Sequence, residues 1–130
     1  MSAKQRAAER KNIDSINICD LTSLSNYQVI ARLGSIVDAS ITGFLVLIQR
    51  EDLVPKWLRS NLTLEELLGH QVVMYLPEMN LDLDGKIIRA DHRGRGAFEV
   101  GIEFAADVPE YWRECLIDLL PYPGEMKETT

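Results

Sequence analysis

The chain has 130 residues, 46% hydrophobic and 26% charged, proportions of an ordinary globular domain that exclude wholesale disorder and a disulfide-stapled scaffold. Its net charge of -6 at pH 7 excludes a general DNA or RNA binder, which needs a basic footprint against phosphates. The charge is uneven: within the first eleven residues Lys4, Arg6, Arg10 and Lys11 stand against Glu9 alone, a net +3 that leaves -9 for the rest.

Cys19 and Cys115 lie far apart with no CxxC spacing, so buried free thiols are expected rather than a zinc or redox site. The longest apolar run, Gly43 to Ile48, is too short to span a bilayer, and no basic segment followed by an apolar stretch opens the chain. A cytoplasmic protein without membrane insertion is the expectation.

Residues 1–12 have no hydrophobic periodicity and are expected to form a flexible basic arm. The folded domain is expected over 13–120, with 121–130 a loose tail of prolines, glycine and charges. Ile13 to Cys19 is the first strand candidate. Tyr27 to Val37 reads as a longer strand in which Gly34 marks a bulge or the bend of a closed sheet. Ile41 to Ile48 is short, apolar and rich in β-branched residues, which favours a buried strand.

Thr63-Leu64-Glu65-Glu66 has the form of a capping box, and Gly69 stands where helices often stop, so a short connecting helix is expected over 63–68. His70 to Leu76 and Leu81 to Arg89 read as strands, followed by turn residues from Asp91 to Gly96. Phe98, Val100, Ile102 and Phe104 alternate with Glu99, Gly101 and Glu103, the clearest period-two pattern in the chain. From Pro109 onward Trp112, Cys115, Leu116, Leu119 and Leu120 form a helical stripe that ends at Pro121. Six strands and a terminal helix, without alternating helices, predict an all-β antiparallel barrel capped by a C-terminal α-helix.

Two clusters carry chemistry suited to an anionic purine ligand. The first is Arg6-Ala7-Ala8-Glu9-Arg10, an RxxxR; the second is Asp38-Ala39-Ser40-Ile41-Thr42-Gly43, a DxSxxG. A guanidinium forms paired hydrogen bonds with phosphate or a guanine edge and also stacks on a base. A carboxylate and a hydroxyl two residues apart face the same way on a strand, and glycine permits a close backbone approach. Arg89 and Arg93 repeat the RxxxR spacing, so spacing alone specifies nothing; what distinguishes the first pair is its place on a basic arm ahead of DxSxxG.

That order resembles the PilZ family. Gly34-Ser35-Ile36-Val37-Asp38-Ala39-Ser40, Leu68-Gly69-His70-Gln71-Val72-Val73-Met74-Tyr75-Leu76-Pro77, Leu83-Asp84-Gly85-Lys86-Ile87-Ile88-Arg89 and Val100-Gly101-Ile102-Glu103-Phe104 look like the family's segments in order and approximate spacing. The resemblance implies a six-stranded antiparallel barrel with a C-terminal helix that binds cyclic di-GMP and signals to a downstream protein partner, in bacterial motility or biofilm control. It implies that Arg6 and Arg10 wrap the ligand, that Asp38 and Ser40 meet a guanine, and that Gly43 completes the loop. It also draws in Gln5, whose position influences whether one ligand or a stacked pair is bound. The stretch from Arg50 to Asn61, with Trp57, is longer than the family's usual connector and reads as a solvent-facing loop with one buried anchor, the alternative being an added surface for a partner.

The rival readings are a PilZ-like interaction module in pilus or motility control that binds no nucleotide, and an enzyme built on a histidine. Asp82, Asp84 and Gly85 lack the remaining ligands of a calcium loop. His70 and His92 have neither metal-ligand nor nucleophile-base spacing. A non-enzymatic protein with no metal or cofactor is therefore expected, and turn chemistry is the alternative role for Asp38 and Ser40.

Overall fold

A computed structural model describes residues 15–56 and 64–120. Six antiparallel strands close into a barrel: β1 (Ile16–Ser23), β2 (Val29–Ala39), β3 (Gly43–Gln49), β4 (Gln71–Leu76), β5 (Leu81–Gly94) and β6 (Ala97–Phe104). Their order around the barrel is β1-β2-β3-β6-β5-β4, with β4 returning to β1. Closure removes free strand edges, which otherwise expose unpaired backbone groups.

Alternation sends one face of each strand inward. Phe44, Val46 and Ile48 of β3 meet Phe98, Val100, Ile102 and Phe104 of β6, and Val72, Met74 and Leu76 of β4 complete the lining with Leu83 and Ile87 of β5. Each fully buried side chain of this size contributes about 1.5–3 kcal/mol through removal from water. The expected strands are all present, with shifted ends. Ile41 falls outside β3 and is 42% exposed, because the chain turns at Ser40 to Thr42. β5 runs on to Gly94 through the residues read as a turn, and the reversal is confined to Gly94, Arg95 and Gly96, all with positive φ.

Gly34 is not a bulge. It pairs directly with Ile18, and a Cβ there would lie 3.1 Å from Val46 and 3.2 Å from Ile18, so the glycine makes room for packing between neighbouring strands. Register shifts fall elsewhere: at Val37 between Ile36 and Asp38, at Ile88 between Ile87 and Arg89, and also near Leu21 and Thr22 of β1 and between His92 and Gly94 of β5.

Two short 3-10 turns, η1 (Arg50–Asp52) and η2 (Glu65–Leu67), deliver Leu53, Leu64 and Leu67 to the core. η2 is shorter than the expected connecting helix, and its N-cap is Leu64, with no side-chain cap. Gly69 follows it at φ +87, the left-handed conformation that favours glycine. Two described residues of the connector are buried where one anchor was expected: Leu53, 1% exposed and bridged to Ala31, and Pro55; Trp57 lies outside the described residues.

The helix α1 (Glu110–Leu119) follows Pro109, which stands at its N-cap in extended conformation rather than inside the first turn, and buries Leu116, with Leu120 just past its end also in the core. Neither cysteine is buried, contrary to expectation. Cys115 sits on the exposed side of α1, and Cys19 points out of β1 between Leu33 and Tyr75, partly covered. No described helix is long and apolar enough to cross a membrane.

Candidate ligand-binding site

The outer surface carries a cleft of about 340 Å³ where β2, β3, β6 and β5 run side by side, a volume at the lower end for small-molecule sites. Asp38, Ser40, Thr42, Gly43 and Leu45 form one side. Ile88, Arg89, Gly101 and Glu103 form the other.

Asp38 faces outward because of the bulge at Val37. In a regular strand Asp38 would share the inward face with Ile36, which is fully buried. The extra residue moves Asp38 opposite Leu45 on the outside and turns Ala39 inward. The Asp38 carboxylate accepts the Ala39 N–H at 2.9 Å, so the local turn role expected of it is present, and the side chain remains only partly covered.

Ser40 lies past the end of β2 rather than on the strand with Asp38. Its N–H donates to the Gly43 carbonyl at 2.8 Å, closing the turn. Its hydroxyl is exposed, accepts the Thr42 N–H at 3.3 Å and lies 3.1 Å from the Thr42 hydroxyl. Gly43 is required by packing: a Cβ there would stand 2.4 Å from the Ile102 carbonyl oxygen, far inside contact distance. The three DxSxxG residues thus line one cleft. Arg6, Arg10 and Gln5 lie outside the described residues.

Arg89 is the one basic residue among the described residues lining the cleft. Its Nε is 3.0 Å from Asp91 Oδ2, and its Nη2 donates to Glu99 Oε1 at 3.0 Å. With Asp38 and Glu103 beside it, the cleft itself offers little net attraction for an anion.

A second arginine escaped the sequence reading. Arg113 of α1 donates to the carbonyls of Ile41 (2.9 Å), Ala105 (3.2 Å) and Val108 (3.2 Å), and its guanidinium lies 4.9 Å from the Phe104 ring centroid. A lone arginine among the apolar residues of a helix is the only sign of it in the sequence.

The histidines have structural surroundings. His70 Nδ1 is 3.2 Å from Ser23 Oγ, but Ser23 is 1% exposed and its Oγ also accepts the Ser25 N–H. The pair therefore fastens the end of β1 to the start of β4, with no serine oxygen presented to a substrate. His92 packs its ring 5.2 Å from that of Phe98. Among the described residues no group of three or more His, Cys, Asp or Glu side chains is placed to hold a metal ion.

The chain matches no protein-family model and no curated protein. Residues and geometry alone define the class, an antiparallel β-barrel with a polar-edged cleft on its outer wall.

Proposed function

We propose that the protein is a PilZ-type receptor that binds cyclic di-GMP at the Asp38–Gly43 cleft and signals the bound state to a partner protein. One observation carries the reading: β1 begins beside the cleft. Ile16 pairs with Ile36, two residues before Asp38, so the segment bearing Arg6 and Arg10 precedes a strand that neighbours the cleft-lining end of β2. Arg10 precedes Ile16 by six residues and Arg6 by ten, which gives reaches of roughly 20 and 35 Å for extended chain. Both arginines are within covalent reach of a ligand in the cleft.

Charge supports the same division of labour. The cleft has an acidic rim and an arginine already engaged by carboxylates, whereas the first eleven residues carry +3. In this reading the arm supplies the cations for the phosphates and the barrel supplies Asp38 for the base. Guanine presents two adjacent N–H donors that one carboxylate can accept together; adenine does not, so Asp38 favours guanine.

The deciding experiment is calorimetric titration with cyclic di-GMP, with cyclic di-AMP and GMP as controls. Saturable binding of cyclic di-GMP, with cyclic di-AMP rejected, is the expected result. No heat with any of the three overturns the receptor reading. The exposed apolar side chains Leu33, Tyr75 and Ile88 on the outer wall favour, as second reading, a PilZ-like module that works through protein contacts alone.

A further inference from the structure

Four residues on neighbouring strands stand in one row across the cleft. Asp38 of β2 pairs with Leu45 of β3, Leu45 with Gly101 of β6, and Gly101 with Arg89 of β5. At the usual strand spacing the row is roughly 14 Å wide. All four positions face outward, and both ends do so because of a bulge.

The bulge at Ile88 acts as the one at Val37 does. Ile87 is fully buried, so in a regular strand Arg89 would point into the core with it. The extra residue sends Arg89 out over Gly101 and leaves Ile88 57% exposed on the rim of the cleft. Bulges are over-represented beside functional sites, where they re-aim side chains.

Gly101 keeps the middle of the row low. A Cβ there would press on Arg89 Cβ at 3.2 Å and approach Ile88 Cγ1 at 3.9 Å. Leu45 lies beside it with its side chain on the outer face. Gly101 is itself buried between its neighbours, so the apolar surface next to Asp38 is that of partly exposed Leu45, bounded on its far side by Ile88. Asp91 and Glu99 already engage Nε and Nη2 of Arg89, so the seat assigns it no phosphate contact.

We propose that Leu45, Gly101 and Ile88 form the apolar seat on which the ligand's base lies flat, while Asp38 takes the base's donor edge. The inference rests on the receptor reading and adds to it a contact residue on β5, outside both motifs. Ile88 is the residue that distinguishes this seat from a site made by the arm and the Asp38–Gly43 turn alone.

The test is titration with cyclic di-GMP of the full chain and of Ile88→Asp, Ile88→Tyr and Leu33→Asp. Leu33 is the control, 53% exposed on the same outer wall but lining a different cleft. Ile88→Asp is expected to weaken binding roughly tenfold, since it places a charge against the base. Ile88→Tyr, which offers a flat apolar face, is expected to bind within about threefold of the unaltered protein. Leu33→Asp is expected to bind normally. Urea unfolding of each variant checks that the barrel is intact, and Ile88→Ser replaces Ile88→Asp should the latter not fold. Undiminished binding by Ile88→Asp, or an equal loss in Leu33→Asp or Ile88→Tyr, overturns the seat alone. Absence of binding by the unaltered protein overturns the receptor reading and the seat with it.

Discussion

Arg113 Nη1 donates to the Ile41 carbonyl at 2.9 Å, which ties the last helix of the fold to the middle of the turn that carries Asp38 and Ser40. The same guanidinium holds the Ala105 and Val108 carbonyls and lies on Phe104. One side chain thus joins α1, the end of β6 and the β2–β3 turn. Arg113→Ala is expected to cost about 2 kcal/mol, the range for charge-assisted hydrogen bonds to partly buried carbonyls. Arg113→Lys, which cannot reach three acceptors in a plane, should recover less than half of that. Urea denaturation gives the loss, and amide exchange in α1 should quicken in both variants. Unchanged exchange would show that the apolar face of α1 holds the helix without the arginine.

Gly43 and Gly69 provide a contrast between two reasons for glycine. A Cβ at Gly43 meets the Ile102 carbonyl oxygen at 2.4 Å, while a Cβ at Gly69 meets nothing within 4 Å but sits on a backbone with φ +87. Gly43→Ala must push β3 and β6 apart and is expected to cost about 3 kcal/mol, at the upper end of overpacking. Gly69→Ala should cost only about 1 kcal/mol, the ordinary penalty for a left-handed non-glycine residue. Equal losses in a chemical denaturation series would contradict this distinction.

The strand plan was legible because inward positions alternate without interruption in Phe98, Val100, Ile102 and Phe104, and because β3 is apolar from Phe44 to Ile48. What stayed hidden were the places where alternation breaks. Nothing about Val37 or Ile88 as residue types marks a bulge, since a bulge is set by register with a neighbouring strand distant in sequence. For that reason the sequence placed Asp38 and Ser40 together but did not bring Ile88 or Arg89 to them. The bulge reading of Gly34 failed on the same ground: its packing against Val46 and Ile18 involves two neighbouring strands, and neither is visible locally. Cys115 followed the helical stripe by spacing yet lies on its exposed margin, where a one-residue rotation decides burial.

Asp84 gives the fold a pH dependence of definite sign. Burial raises its pKa above the ordinary 3.8, and the negative charges of Asp107 and Asp82 raise it further. The folded protein therefore holds this proton more tightly than the unfolded chain. As pH rises from about 3.8 through the raised value, the contribution of Asp84 to stability falls, and above it a constant penalty remains. Asp84→Asn should be more stable than the unaltered protein at pH 7, with the advantage vanishing near pH 3. Denaturation midpoints measured from pH 3 to 7 would show the two curves diverging upward; parallel curves would assign the group no such role.

The receptor reading makes separate demands on the arm and on the barrel. Arg6→Ala and Arg10→Ala should each weaken cyclic di-GMP binding roughly 10- to 100-fold, the loss of a charge-assisted contact to phosphate or base. Asp38→Ala should weaken it by a similar factor and also reduce discrimination against cyclic di-AMP, because the acceptor for guanine's paired donors is gone. Salt separates the two contributions. Raising ionic strength should weaken binding by the unaltered protein and by Asp38→Ala, but affect the arginine variants less, since the cations it screens belong to the arm. Denaturation midpoints of the arginine variants should not move, because both residues precede the first strand. A salt dependence that persists undiminished when Arg6→Ala and Arg10→Ala are combined would place the ligand's phosphates against a different set of cations and remove the arm from the site.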